Sequence, residues 1–367
     1  MGADVLVVGA GPAGLATAIA ASLQGLRVMV ADSRRPPIDK TCGEGLLPGA
    51  VAALRRLGIE LDSRLAFPFK GIRFTDEESS ACASLPGGTA FGLRRTALSG
   101  MLIERAAQTG VEFLWGARVT GLDSRGARID GTSYLFRWLV GADGRDSAVR
   151  KWARLNTRGA RRRRFGFRRH YSIAPWTDVV EVYWGERCQM FATPTGAEEV
   201  SVSLLTSDPQ MRIDRALPNF PGLARRLQGA ATLTTELGAV TACERARAVV
   251  RGNIALVGDA SGSVDGIAGL GLSLAFRQAI YLGEALARED LKYYQAAHRR
   301  ISKIPARLNR VLLMMNESAL MRRKVLRLFA ESPGMFGALI SLHTGQRRPE
   351  QLKASEVLDL GWRVLWA

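Results

Sequence analysis

The segment Val5-Leu6-Val7-Val8-Gly9-Ala10-Gly11-Pro12-Ala13-Gly14 constrains this chain more than any other. Its four leading apolar residues predict a strand buried on both faces of a parallel sheet. The glycines at 9, 11 and 14 fit G-x-G-x-x-G. Gly9 permits a tight turn, Gly11 lets bare backbone approach a pyrophosphate, and Gly14 lets the following helix pack closely on the strand. That helix is predicted over 12–24, with Pro12 and Ala13 in its first turn, where a missing N–H costs nothing. Its N-terminus aims free amides and the positive dipole end at an anion. Gly25 ends the helix, and 27–31 reads as a second strand. Asp32 closes that strand 18 residues after Gly14 (32 − 14), followed by Ser33, where an acid accepts ribose hydroxyls. Strand, helix, strand and acid stand in the order that a dinucleotide site requires. Residues 5–23 carry no charge, but the glycines and Pro12 argue against a membrane span. No basic stretch precedes the run, as a signal peptide would need.

At 367 residues, 47% hydrophobic and 23% charged, the chain can bury a large core. Cys42, Cys82, Cys188 and Cys243 form no C-x-x-C, and His170, His298 and His343 stand alone, so no metal site is expected. The scattered cysteines fit a reduced, cytoplasmic protein. The net charge of +17 owes much to Arg161–Arg164, Arg168 and Arg169. Such a run attracts anionic partners, yet no nucleic-acid-binding signature accompanies it, and a solvated loop or strand edge is expected. No specific nucleic acid is predicted as a partner. The apolar and basic C-terminal helices leave peripheral contact with the inner membrane surface open.

Further along, Thr41-Cys42-Gly43-Glu44-Gly45 links into a helix predicted over 48–57. Cys42, beside two glycines, is placed either to approach a cofactor ring or to fill a plain turn. Short antiparallel strands are predicted within 69–91. A helix follows over 96–108 with Leu98, Leu102 and Ala106 on one face, then strands at 111–115, 117–122 and 134–140, the last leading into Gly141-Ala142-Asp143-Gly144. Between 153 and 251 two-residue alternation dominates, which predicts an antiparallel sheet with a helical insert near 219–228. The first pattern then returns: a buried strand ends in Gly258-Asp259-Ala260, a glycine loop follows, and a helix spans 272–288. One long helix is predicted over 290–330, broken at Ser332-Pro333-Gly334 before a short helix over 335–342. The expected class is α/β. A Rossmann-like, three-layer nucleotide domain with a parallel sheet (1–152, resumed at 252–288) carries an inserted antiparallel β-sheet substrate domain (153–251) and a helical C-terminal region (289–367).

Together, Gly9–Gly14 with Asp32, Gly141–Gly144 and Gly258-Asp259-Ala260 make the chain resemble the FAD-dependent oxidoreductases that include the class A flavoprotein monooxygenases and the geranylgeranyl reductases. The resemblance covers most of residues 1–150 and 250–288. It implies FAD held by Gly9, Gly11, Pro12, Ala13, Gly14, Asp32, Ser33, Cys42, Gly43, Arg95, Asp143, Gly258, Asp259, Gly269, Leu270 and Gly271. Asp259 would take the ribityl hydroxyls, Arg95 would lie near the phosphates, and the amides at Gly269-Leu270-Gly271 would face the flavin. Many aromatic hydroxylases carry a histidine and a proline where this chain has Ser261-Gly262 and Gly266, and Ala260-Ser261-Gly262 with Thr41-Cys42-Gly43-Glu44-Gly45 looks more like the reductase branch. Tyr183-Trp184 does not match the tryptophan-rich motif of the flavin-dependent halogenases. With one G-x-G-x-x-G, NADPH or NADH would visit transiently as reductant, or a partner would deliver electrons.

The implied activity is a monooxygenase acting through a flavin hydroperoxide on a small aromatic or polyketide-like lipophilic substrate, as in secondary metabolism. His170, Tyr171, Tyr183 and Trp184 are candidates for the substrate side. The alternative is a reductase saturating isoprenoid double bonds, with Cys42 or Glu44 as proton donor. A non-catalytic basic binding module is the remote alternative. A monomer or a homodimer is expected.

Overall fold

The computed structural model describes residues 3–85, 88–123, 126–158 and 163–347. Arg161 and Arg162 of the basic run, and residues 348–367 of the C-terminal region, lie outside them. The opening apolar run forms the strand Ala3–Val8, in the middle of a six-stranded sheet. It pairs in parallel with Phe136–Gly141 on one side and Val28–Asp32 on the other. Glu112–Trp115 and Ile254–Leu256 extend the sheet, also in parallel, and Val250–Arg251 closes one edge antiparallel. The return segment therefore rejoins the first sheet through Ile254–Leu256.

Helix α1 (Pro12–Ser22) is almost wholly buried, which explains why it is apolar all round rather than amphipathic. Helix α2 (Pro48–Arg56) follows, and α3 (Arg95–Gln108) packs against α1, burying Leu98, Leu102 and Ala106 as their spacing predicts. Helix α4 (Ala148–Trp152) is short and capped by Ser147, while α5 (Ile213–Ala216) and α6 (Pro221–Leu227) lie against the second sheet. Helix α7 (Gly271–Ala287) covers α1, and their approach depends on Gly283, where a Cβ would lie 2.7 Å from that of Ala20.

The second sheet has eight strands. Arg163–Ser172 lies between Glu199–Thr206 and Leu237–Ala242, and Cys188–Gly196 and Val179–Trp184 continue the sheet antiparallel. Val179–Trp184 then pairs in parallel with Gly71–Thr75, which brings strands from before residue 153 into this sheet.

Two sequence expectations change. Within Arg163–Ser172 the arginine run is only partly solvated: Arg163 is exposed as expected, but the side chains of Arg164 and Arg168 are 4% and 2% exposed. They can be buried because each meets a carboxylate on a neighbouring element. The long C-terminal helix is two helices, α8 (Leu291–Glu317) and α9 (Ala319–Glu331). Ser318 leaves helical geometry and its hydroxyl accepts from Met321 N at 3.2 Å, capping α9. Helix α10 (Pro333–His343) follows. Among the described residues no single helix is long and apolar enough to cross a membrane; α9 and α10 reach that composition only together, across a 109° bend.

Candidate functional site

A cavity of about 1170 Å3 runs from the first glycine turn, past the second sheet, to the C-terminal helices. At one end the three glycines do different work. A Cβ at Gly14 would lie 1.9 Å from the carbonyl oxygen of Gly9, and one at Gly9 would lie 2.5 Å from that of Ala142, so both are glycine for packing. A Cβ at Gly11 would meet no protein atom within 4 Å, yet Gly11 lines the cavity. Bare backbone there faces open space at the head of α1, as a pyrophosphate cradle requires. Gly269 adopts φ +63° and turns the chain into α7, whose first amides also border the cavity. The Arg95 guanidinium lines this region and holds no carboxylate among the described residues. Asp32 closes its strand as predicted; its carboxylate accepts from Ala10 N and Arg34 N, both at 2.8 Å, and borders the cavity.

Midway along the wall, Cys42, Gly43 and Glu44 border the same space. Glu44 is 2% exposed and adopts φ +59°, a region that disfavours side chains. Its carboxylate binds three groups: Arg95 N at 2.7 Å, Arg168 Nη1 at 2.9 Å and His170 Nε2 at 2.7 Å. Arg168 also grips Asp39 through two hydrogen bonds, of 3.2 and 2.7 Å. Burial opposes the charge of Arg168, but Asp39 and Glu44 outweigh it and raise its pKa. Burial would raise the carboxyl of Asp39, but Arg168 prevails and lowers it. One buried arginine thus fastens the cavity-lining link at residues 39 and 44. The far end is apolar, with Phe74, Val182 and Phe191 from the sheet facing Leu312, Phe336 and Leu339 from the helices.

The FAD binding domain model matches residues 2–292. The chain belongs to the FAD binding domain family. Its cofactor is FAD, and it is a flavin-dependent oxidoreductase. Menaquinone reductase of Mycobacterium tuberculosis is 29% identical over 325 residues, spanning 79% of this chain and 78% of that protein. Rifampicin monooxygenase of Rhodococcus hoagii is 33% identical over 159 residues, but this spans 40% of this chain and 33% of that one. Among solved structures, a flavoprotein/dehydrogenase from Cytophaga hutchinsonii superposes with TM-score 0.81 at 18% identity, covering 94% of this chain and 93% of that one, a likeness of fold.

The residues assigned to FAD from sequence fall into place unevenly. Gly258 adopts φ +62° and is pressed against Ala13, and Asp259 follows at the cavity with its carboxylate 3.2 Å from Lys40 Nζ. Asp143 borders the cavity but spends its carboxylate on Ser147 Oγ, Ala148 N and Val149 N, holding the start of α4. Ser33 and Leu270 also line the space.

The aromatic substrate-side candidates do not reach it. The Tyr183 hydroxyl donates to Glu181 Oε2 at 2.6 Å; burial and that carboxylate raise its pKa. Trp184 packs edge-on to Phe74 and Tyr171 lies in the core, while His170 stands behind Glu44. They miss the cavity because the alternation of their strands places them on other faces or behind other side chains. Sequence reasoning missed Arg164 and Arg168 as buried ion-pair partners. The signal was present: Arg164, Gly166, Arg168 and His170 share one parity, hence one face of a strand. Asp265, held by Arg164 at 2.7 Å, also borders the cavity and went unnoticed.

Proposed function

We propose that the protein is an FAD-dependent reductase that saturates carbon–carbon double bonds in an isoprenoid-bearing lipid. The observation that carries this reading is the apolar half of the cavity, walled by the second sheet and α8–α10, which suits a long hydrocarbon and offers few polar anchors to a small charged aromatic. The relative named menaquinone reductase aligns along most of both chains, whereas the relative named as a monooxygenase aligns over less than half of either. That shorter match bears on the part that a reductase and a monooxygenase share, so it supports the cofactor more than the reaction.

FAD supplies the electron pair, as hydride, once reduced by NADPH, NADH or a protein donor. The chain must do the rest. The glycine turn and Asp259 orient the cofactor, the apolar walls keep water out, and one proton must reach the substrate carbon that does not receive hydride. Glu44 is badly placed to give it, since Oε1 accepts from Arg95 N and Arg168 Nη1 and Oε2 lies 2.7 Å from His170 Nε2, away from the substrate space. Cys42 is better placed: its thiol borders the cavity, with Glu44 N–H 3.4 Å from the sulfur. Purified protein should show a flavin spectrum. Once reduced without oxygen by NADPH or dithionite, it should convert a geranylgeranylated lipid to a product heavier by two hydrogens, and Cys42→Ala should slow that step without loss of FAD. Rapid oxygen uptake with a product heavier by one oxygen would replace this reading with the monooxygenase.

A further inference from the structure

The corner between α8 and α9 carries a surface pattern that neither the cofactor site nor the core explains. On α8, Arg307, Arg310, Val311 and Met314 recur at helical spacing and all are exposed, Met314 at 54%. On α9, Leu320, Arg323 and Arg327 are exposed at the same spacing, with Leu320 at 68%, Lys324 half-buried beside them and Arg323 paired with Glu78 at 3.2 Å. Apolar tips thus stand beside cations on two successive helices, six residues apart across the Ser318 break (320 − 314). From 299 to 331 the sequence has nine Lys and Arg against Glu317 and Glu331, so the surface favours an anionic partner. Arg307, Arg310 and Arg327 hold no carboxylate among the described residues, leaving their charge for a partner.

The corner also adjoins the cavity. Val311 is 39% exposed and at the same time lines the cavity, with Leu308, Leu312 and Met315 lining it from the same helix. The apolar space therefore reaches the surface at Val311, on the α8 stripe. Where the cavity lining reaches the surface at Val311, its neighbours on the exposed stripe of the same helix are Arg307, Arg310 and Met314. That is the pattern of a face that lies on anionic headgroups with its apolar tips in the acyl boundary.

We propose that the α8–α9 corner docks the protein on an anionic lipid bilayer, and that lipophilic substrate passes from the bilayer into the cavity beside Val311. The docking step stands on the surface itself; the passage of substrate rests on the reductase reading above. Cations draw the face to the membrane, and Met314 and Leu320 enter it. The association weakens as ionic strength rises, since exposed charges are screened within about 10 Å at ~0.1 M salt.

The test is co-sedimentation of the full-length, FAD-loaded protein with vesicles of phosphatidylcholine alone or mixed with phosphatidylglycerol. The wild type is expected to pellet with the anionic vesicles, to stay largely soluble with neutral ones, and to be released by salt. The double variant Met314→Ser/Leu320→Ser touches neither cavity nor cofactor. It should cut vesicle binding by about tenfold or more while its visible spectrum and FAD content stay unchanged. Absence of wild-type binding to anionic vesicles, or equal binding by wild type and variant, overturns the proposal. So does a homodimer that the double variant dissociates and that ignores vesicles, which would make the corner a self-association face. Reduction of a geranylgeranylated lipid in detergent micelles, measured alongside, separates the two claims. Turnover in micelles without vesicle binding removes the docking alone; vesicle binding without reduction of any prenyl lipid removes the reductase reading and leaves the docking in place.

Discussion

Glu44→Ala should be among the most damaging single changes outside the glycine turn, and its size can be worked from the contacts. The glutamate is 2% exposed, as are Arg168 and His170, so without its carboxylate no water replaces the acceptor for Arg168 Nη1 and the partner of His170 Nε2. Removing one partner of a buried ion pair costs about 3–5 kcal/mol. Arg168 keeps its paired hydrogen bonds to Asp39, which argues for the lower end of that range. Loss of the acceptor for Arg95 N at the start of α3 adds about 1 kcal/mol. A total of about 4 kcal/mol follows. For a chain of 367 residues it should lower Tm by about 5 °C. Two companion variants separate charge from backbone. Glu44→Gln keeps the shape and loses the charge, so about half the loss is expected. Glu44→Gly removes the same side chain as Ala but relieves the φ of +59°, so it should recover about 1 kcal/mol relative to Ala. The assay is thermal unfolding of the FAD-loaded protein by near-ultraviolet circular dichroism, with flavin fluorescence reporting cofactor release. If Glu44→Ala melts within a degree of wild type, or if Gly is no better than Ala, the picture of Glu44 as a strained, charge-bearing clamp is wrong.

Other expectations follow from single contacts. Gly11→Ala should leave the apoprotein's melting temperature unchanged but weaken FAD binding at least tenfold in a titration, because the new Cβ enters only the cavity, whereas Gly14→Ala should lower both, its Cβ colliding with Gly9 O; equal behaviour of the two would refute the division of roles. Tyr183→Phe should cost about 1 kcal/mol in a denaturant melt and leave turnover intact, since its hydroxyl serves Glu181; a collapse of turnover at unchanged stability would return it to the active site. Burial lowers the His298 pKa to about 4. Because the folded value lies below the unfolded one near 6.5, the folded state binds fewer protons, and stability should fall as pH drops from about 6.5 to 4 and level off below, by about 3 kcal/mol in all from this group. The chemistry agrees: Gln278 Oε1 accepts from Gly258 N, so its amide N–H faces His298 Nε2 at 3.2 Å and needs an unprotonated nitrogen there. His298→Asn should flatten the pH dependence of FAD release over that range, and an unaltered profile would exclude His298 as its source.

How much of this was legible in sequence depended on what kind of constraint each residue answers to. The cofactor end was readable because its demands are local. A turn at Gly9, an approach at Gly11 and an acid at Asp32 are fixed by the chain's own geometry within about 25 residues, and they leave a spaced pattern of glycines. Helix α3 was readable because burial of one face imposes a period that Leu98, Leu102 and Ala106 repeat, and α1 because Pro12 and Gly25 bound an uninterrupted apolar run. The clamp was not readable, because its demands are distant. Glu44 and Arg168 are separated by 124 positions (168 − 44) and meet only when the second sheet packs over the link. Seen alone, Arg168 belongs to a run of positive charge, and charge runs usually face water. The run could have been read differently by parity, since a strand that places Arg164, Gly166, Arg168 and His170 on one face either wastes three cationic or polar groups or has partners waiting. Gly166 between them decides in favour of partners, because its added Cβ would sit 3.2 Å from Leu205, a packed interior face rather than a wet one. The same reasoning explains the break at Ser318. A periodic apolar pattern continues through it, so helix propensity alone predicts one rod, and only a serine placed to cap Met321 N betrays the turn that exposes Met314 and Leu320. The features least visible in the sequence are therefore those that join elements far apart in the chain, and these are the ones that hold the cavity wall and shape its mouth.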